Sequence, residues 1–207
     1  MAYPVSTIRT EKGKHRLHEP FFMISVVCTS ITMAFVGRLI KNVDLQKAGT
    51  SSFQCVQMDR YVTFPSEALD RALTNTIPDS LEISIDAQPG GAGGIWPIQE
   101  ILTTATIPMF VEFYEDYRPW LAANINSDFT KWSNVWQFAR IVRNAASHSG
   151  IHINDQTFVP ITWYKLTYGP SQHGRKIFGP DLAPADIAIL MLEMNDALDQ
   201  LGCPISP

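Results

Sequence analysis

The chain has 207 residues, 45% of them apolar and 11% aromatic, and a formal net charge of -4. That length and apolar content carry one sizeable core, and the acidic balance excludes a protein that coats nucleic acid through a global basic field. Charged residues make up only 17% of the chain, so an exposed apolar face and self-association are expected.

Residues 1–19 are polar and mixed, and read as a loose N-terminal arm. The stretch Phe21 to Gly37 carries no charge and follows Lys12-Gly13-Lys14-His15-Arg16, which raises a signal peptide or a short membrane span. Ser25, Thr29, Ser30 and Thr32 interrupt it, Arg38 and Lys41 follow, and Pro20 suits a first helical turn. A buried helix from about Phe21 to Asp44 is therefore expected. Gly49-Thr50-Ser51-Ser52 breaks the chain, and residues 53–62 are ambiguous. Thr63-Phe64-Pro65 reads as the start of a short amphipathic helix carrying Leu69, Leu73 and Ile77. Pro78 to Gly94 reads as a long connection. Its glycines lack the Lys-Ser or Lys-Thr that a phosphate loop requires, so a linker is expected there.

Trp96-Pro97 opens a helix that runs through Phe110, Phe113 and Tyr117 to Arg118-Pro119, with a kink or split at Pro108. Glu112, Glu115 and Asp116 make its end acidic. Most of these read as a solvated face, and one of them is available to answer Arg140 or Arg143. Asn126-Ser127-Asp128 reads as the cap of a helix over Trp132 to His148. Thr162 to Tyr168 is β-rich and is expected to pair with a second short strand at Lys176-Ile177-Phe178. Asp181 to Leu201 is the last helix, closed by Gly202 and Pro204. The expected fold is mainly α: a bundle of four to five helices with a small β-hairpin before the last helix. Residues 1–19 form the arm and residues 20–207 a single domain.

The three cysteines, Cys28, Cys55 and Cys203, have neither paired nor metal-ligand spacing and fit a reducing cytoplasm. The histidines, His15, His18, His148, His152 and His173, form no HExxH pattern. His148 and His152 stand four apart, but Ser149-Gly150 breaks the helix between them, so no shared metal is expected. No Gly-x-Ser-x-Gly elbow is present. No metal and no cofactor are expected.

Candidate chemistry then concentrates on Arg143, Asn144 and His148. At 100° per residue, Trp132, Trp136, Ala139 and Arg143 share one stripe. A guanidinium on an apolar stripe either pairs inside the chain, with Glu112 or Asp116, or serves a surface that wants a positive charge. His148 ends the helix, where the partial negative charge of the last turn favours a cation. Residues five apart point about 140° apart, but a helix loosened at Ser147-His148 would let both side chains reach one cleft. An imidazole that exchanges protons beside a guanidinium that grips phosphate suits phosphodiester transesterification. Arg140 and Lys165 are further candidates for substrate contact, with Arg175 and Lys176 as a basic rim. The other outcome is structural: an internal ion pair for Arg143 and a helix-end cap for His148.

A helix ending in Arg-Asn-x-x-x-His-x-Gly, followed by a hairpin and one more long helix, resembles the HEPN superfamily. The resemblance covers Phe21 to Leu201 loosely and Ser127 to Tyr168 more closely. It implies an Arg-x(4–6)-His helical domain that pairs with a second copy through the motif-bearing face, forming one composite cleft. It implies a metal-independent endoribonuclease in which His148 is general base or acid, Arg143 stabilises the phosphorane and Asn144 positions. The products would carry 2′,3′-cyclic phosphate ends. RNA as substrate, a homodimer, an antitoxin or regulatory partner, and a role as toxin or phage-defence effector follow from the same resemblance. No membrane association is expected. Gly150 stands where some members carry a tyrosine modified by a partner nucleotidyltransferase, so that route of neutralisation is not expected. The alternative is a non-catalytic module that binds nucleotide, RNA or a partner protein.

Overall fold

The computed structural model describes residues 3–39, 50–65, 67–87, 96–153, 155 and 157–206. In chain order they form β1 (Ser6–Glu11), α1 (His18–Leu39), β2 (Thr50–Gln54), β3 (Tyr61–Pro65), α2 (Glu67–Leu73) and β4 (Ser80–Asp86). Then come α3 (Trp96–Asn124), α4 (Asn134–His148), β5 (Ile161–Trp163), β6 (Leu166–Tyr168) and α5 (Pro184–Gln200). The end of the first expected helix, residues 40–44, and the Gly-rich stretch over residues 88–94 lie outside the described residues.

The expected mainly α bundle is corrected to an α+β fold. Four strands make an antiparallel sheet in the order β1-β4-β3-β2, and β5 and β6 pair separately. The sheet lies where a loose arm, an ambiguous stretch, a helix start and a long connection were expected. Its central strand β4 alternates: Leu81, Ile83 and Ile85 are buried, while Glu82 faces solvent. That is the period-2 pattern of a strand with one face on a core. Pro65 ends β3 rather than opening a helix, and α2 starts only at Glu67.

The expected arm is held by its end. Leu17 and His18 are buried. The His18 imidazole reaches Thr10 Oγ1 through Nδ1 at 3.0 Å and the Pro78 carbonyl through Nε2 at 2.8 Å. One side chain therefore ties β1, the start of α1 and the lead into β4. α1 packs against the sheet and against α3, and α3 packs on α4 and α5. Among the described residues no helix is long and apolar enough to cross a membrane.

α3 is a single helix containing both Pro108 and Pro119, and it extends to Asn124 rather than stopping at Pro119. Asp128 caps a 3-10 turn over Phe129–Lys131, accepting from the Thr130 amide, while α4 begins after Ser133. The hairpin is corrected too. β5 and β6 both come from the segment expected as one strand, and the two-residue turn Tyr164-Lys165 joins them. Tyr164 takes a left-handed φ of 49°, the conformation that a tight hairpin turn demands. Ile177 is buried, and Phe178 makes only an isolated bridge to Leu182.

α5 is buried along most of its length, from Pro184 through Leu192. Its first turn carries Asp186, fully buried. The carboxylate accepts backbone N–H groups from Val56 at 2.8 Å, Gln57 at 3.1 Å and Ala183 at 2.9 Å. It therefore joins the segment between β2 and β3 to the start of α5. Burial pushes this carboxyl up to about 6, against the pull of those amides. The folded state thus favours the protonated form. Its contribution is fully present below the ordinary carboxylate value and is lost as pH rises through about 6. Wild type is expected to lose about 2 kcal/mol of stability between pH 4 and pH 7 relative to Asp186→Asn, measured by urea unfolding at each pH. Parallel pH profiles for the two proteins would contradict the assignment.

Candidate functional site

α4 is amphipathic, and its apolar side is spent inside the chain. Trp136, Phe138, Ala139, Ile141, Val142 and Ala145 are buried. Trp136 packs on Tyr114 and Phe113 of α3, with ring centroids at 5.5 Å and 6.4 Å, and its Nε1 donates to the Met194 carbonyl of α5. Trp132 meets Trp136 edge-on, and Phe138 stacks on Trp163 and Tyr168. The expectation that the Trp132/Trp136 face meets a second copy is therefore corrected: those rings are core. What α4 offers to solvent is its other side, with Arg140, Asn144, Ser147 and His148.

Arg143 lies at the border of the two sides. Its Nε donates to Glu115 Oε1 at 2.5 Å, and its side chain is 33% exposed. Of the acidic residues of α3, the partner is Glu115 rather than Glu112 or Asp116. The other Glu115 oxygen accepts from Arg118 Nε at 3.1 Å, so one carboxylate serves two guanidiniums. Asn144 Oδ1 lies 3.5 Å from Arg143 Nη1, a long contact. Arg140 stacks over the Phe129 ring, 3.7 Å from its centroid. Burial lowers the affinity of this guanidinium for its proton; Tyr114 opposes that, while Arg143 and Arg118 add to it. Burial also pushes the Tyr114 phenol up to about 12, although Arg140, Arg118 and Arg143 pull it down. Three arginines thus surround one phenol and one carboxylate.

The helix does not loosen before its end. It stays α-helical through His148, and Ser149 then turns left-handed with φ 58° while its N–H bonds the Ala145 carbonyl. Regular geometry keeps Arg143 and His148 about 140° apart. Their recorded partners share no residue: Arg143 has Glu115 and Asn144, and His148 has His152. The convergence of both on one cleft within a single chain is therefore corrected.

Gly150 also has a different job from releasing the helix. A Cβ there would sit 2.9 Å from the Gly174 carbonyl oxygen and 3.1 Å from that of Arg175. Two backbone bonds close this approach, from Ile151 N–H to the Arg175 carbonyl at 2.9 Å and from Gly174 N–H to the Ile151 carbonyl at 2.7 Å. The consequence is a histidine array. The rings of His148 and His152 stack at 4.3 Å and 23°, and His173 lies 5.4 Å from His152. A carbonyl only accepts, so the 3.1 Å contact of His173 Nδ1 with the Ile153 carbonyl puts a proton on Nδ1. The helix break that argued against a metal shared by His148 and His152 is what allows His152 and His173 to fold back.

Lys165 is not brought to this site. Its hairpin lies on the N-terminal half of α4, where Asn134 Nδ2 donates to the Thr162 carbonyl and Phe138 meets Trp163 and Tyr168. Arg175 holds Asp181 at 2.5 Å, while Lys176 is exposed. Among the described residues no group of three or more His, Cys, Asp or Glu is placed to hold a metal. A cavity of about 370 Å³ lies elsewhere, between the start of α1, α3 and the C-terminal tail. Glu19, Glu112 and Asp116 line it together with His15, Arg16 and His18.

Gly150→Ala is expected to cost about 1–3 kcal/mol, because backbone atoms rather than a flexible side chain must yield. It should also part His173 from His152. Urea unfolding reads the first effect and loss of the nuclear Overhauser contact between the two rings reads the second. Unchanged stability with the contact retained would contradict the close-packing role.

Comparison with protein-family models, with curated proteins and with solved structures finds no match to this chain.

Proposed function

We propose that the chain is a metal-independent endoribonuclease of the HEPN kind, acting in the cytoplasm on RNA, with His148 as its proton-transfer group. The observation that carries the reading is the exposed His148 at the end of α4, stacked on His152 at 4.3 Å. Transesterification needs two proton transfers. A base takes the proton of the ribose 2′-OH as its oxygen bonds to phosphorus. An acid gives a proton to the 5′-oxygen as the P–O5′ bond breaks, leaving a 2′,3′-cyclic phosphate. Imidazoles are suited to both steps near neutral pH. Arg143 commits Nε to Glu115 and makes only a long 3.5 Å contact from Nη1 to Asn144, so Nη2 is left to face the equatorial oxygens of a phosphorane. Asn144 beside it positions the phosphate.

One chain directs Arg143 and His148 to different sides of α4, so the reading takes the arginine and the histidine of one cleft from two copies. The exposed polar side of α4 is the surface for that pairing. The free, buried cysteines fit a reducing compartment. An enzyme of this kind needs restraint in its own cell, which is the place for an antitoxin or regulatory partner. A binding-only role has one observation in its favour, the ion pair that already engages Arg143.

Purified protein is expected to cut RNA in excess EDTA. His148→Ala is expected to slow cutting by about 10²–10⁴-fold with little change in melting temperature, since the side chain is exposed. Mixing Arg143→Ala with His148→Ala should restore part of the activity, because one cleft of each mixed dimer is complete. RNA left intact by wild type, or cut equally by His148→Ala, refutes the catalytic reading; a mixture as inactive as its parts refutes the two-copy cleft.

A further inference from the structure

The arginines on the α3–α4 face outnumber the carboxylates that hold them. Glu115 gives one oxygen to Arg143 and the other to Arg118. Arg140 has no ion pair among the described residues and rests on the Phe129 ring. Three guanidiniums against one carboxylate leave two positive charges in excess, on a chain whose net charge is -4. The local balance is thus opposite to the global one. Arg140 and Arg143 are also three apart on one helix, a spacing at which like charges repel. Both are half-buried, which strengthens that repulsion because less water screens it. The Glu115 carboxylate, already shared between Arg143 and Arg118, offsets only part of it.

We propose that Arg118, Arg140 and Arg143 form a binding site for the phosphodiester backbone of a single-stranded nucleic acid. The Phe129 ring fixes the plane of the Arg140 guanidinium, so the fork is oriented before ligand arrives. The Glu115 carboxylate orients the other two in the same way and leaves their remaining N–H groups for phosphate oxygens. The helical rise sets Arg143 about 7.5 Å and Arg140 about 12 Å behind His148 along α4. A strand gripped by the cluster therefore lies along the arginine side of α4, with Arg143 about 140° around the helix from His148. Phosphate contacts carry no sequence information, so this site holds RNA and DNA alike.

The identity of the strand as RNA rests on the ribonuclease reading; the backbone site does not. The test separates the two by using ligands without a free 2′-OH: a fluorescent 2′-O-methyl oligoribonucleotide and a DNA oligonucleotide of the same sequence. Anisotropy titrations of the full chain over a salt series read affinity and its salt slope, with inorganic phosphate as competitor. Wild type is expected to bind both oligonucleotides far more tightly than phosphate. Arg140→Gln and Arg118→Gln should each lower the slope of log K against log salt by about 0.7. Arg118 is half exposed, so its variant tests the site even where Arg140→Gln disturbs packing on Phe129. Absence of binding at low salt, or slopes unchanged in both arginine variants, would overturn the proposal. Binding without cleavage of natural RNA would leave this site standing and sink the catalytic reading; cleavage with unchanged slopes does the reverse.

Discussion

α5 is buried along most of its length, so each polar group it carries inside needs a partner from elsewhere in the chain. Asp186 at its start takes amides from the segment between β2 and β3. The Met194 carbonyl takes the indole N–H of Trp136. Asn195 takes Arg16, whose guanidinium also engages Asp199 and the carbonyls of Cys203 and Pro204. These three contacts bring the sheet, α4 and the N-terminal segment onto one helix. The orientation of α4, and with it everything at its end, follows from that burial.

α4 meets this constraint by dividing its faces. Indole and aliphatic side chains anchor one face, so the other is presented rigidly rather than on a loop. Two kinds of chemistry follow one another along the helix, on different sides of it. Guanidiniums in excess of carboxylate come first, then imidazoles where the helix stops. The first suits binding of a phosphate chain and the second suits moving protons on it. Ser149 in the left-handed region ends the helix after His148, and Gly150 admits the backbone that carries His173. A helix terminus thus becomes a cluster.

The period of the apolar residues made α4 and α5 legible in the sequence, as it did most of α1 and α3. The sheet was not read, although Leu81-Glu82-Ile83-Ser84-Ile85 alternates plainly. Pro78 before it and the glycines after it read as a linker, and Pro65 read as a helix start rather than a strand end. Arg143 and His148 were legible as candidates because each is unusual at its helical position. The choice of Glu115 over Glu112 and Asp116 was not, since it depends on how α3 is rotated against α4. His152 and His173 were hidden by the break at Ser149-Gly150. The usable signal was the glycine itself: placed between two histidines, it marks a close backbone approach that returns the chain to the helix end. Arg118 was visible only as the end of a helix, although its spacing of three from Glu115 already announced a pair.

The central claim is that this helix end transfers protons on an RNA phosphodiester without a metal. The most direct measurement is the chemistry of the cut ends after incubation of the full chain with RNA in EDTA. The account predicts 2′,3′-cyclic phosphate and 5′-hydroxyl ends. Ends carrying 3′-hydroxyl and 5′-phosphate, or RNA that stays intact, would contradict it.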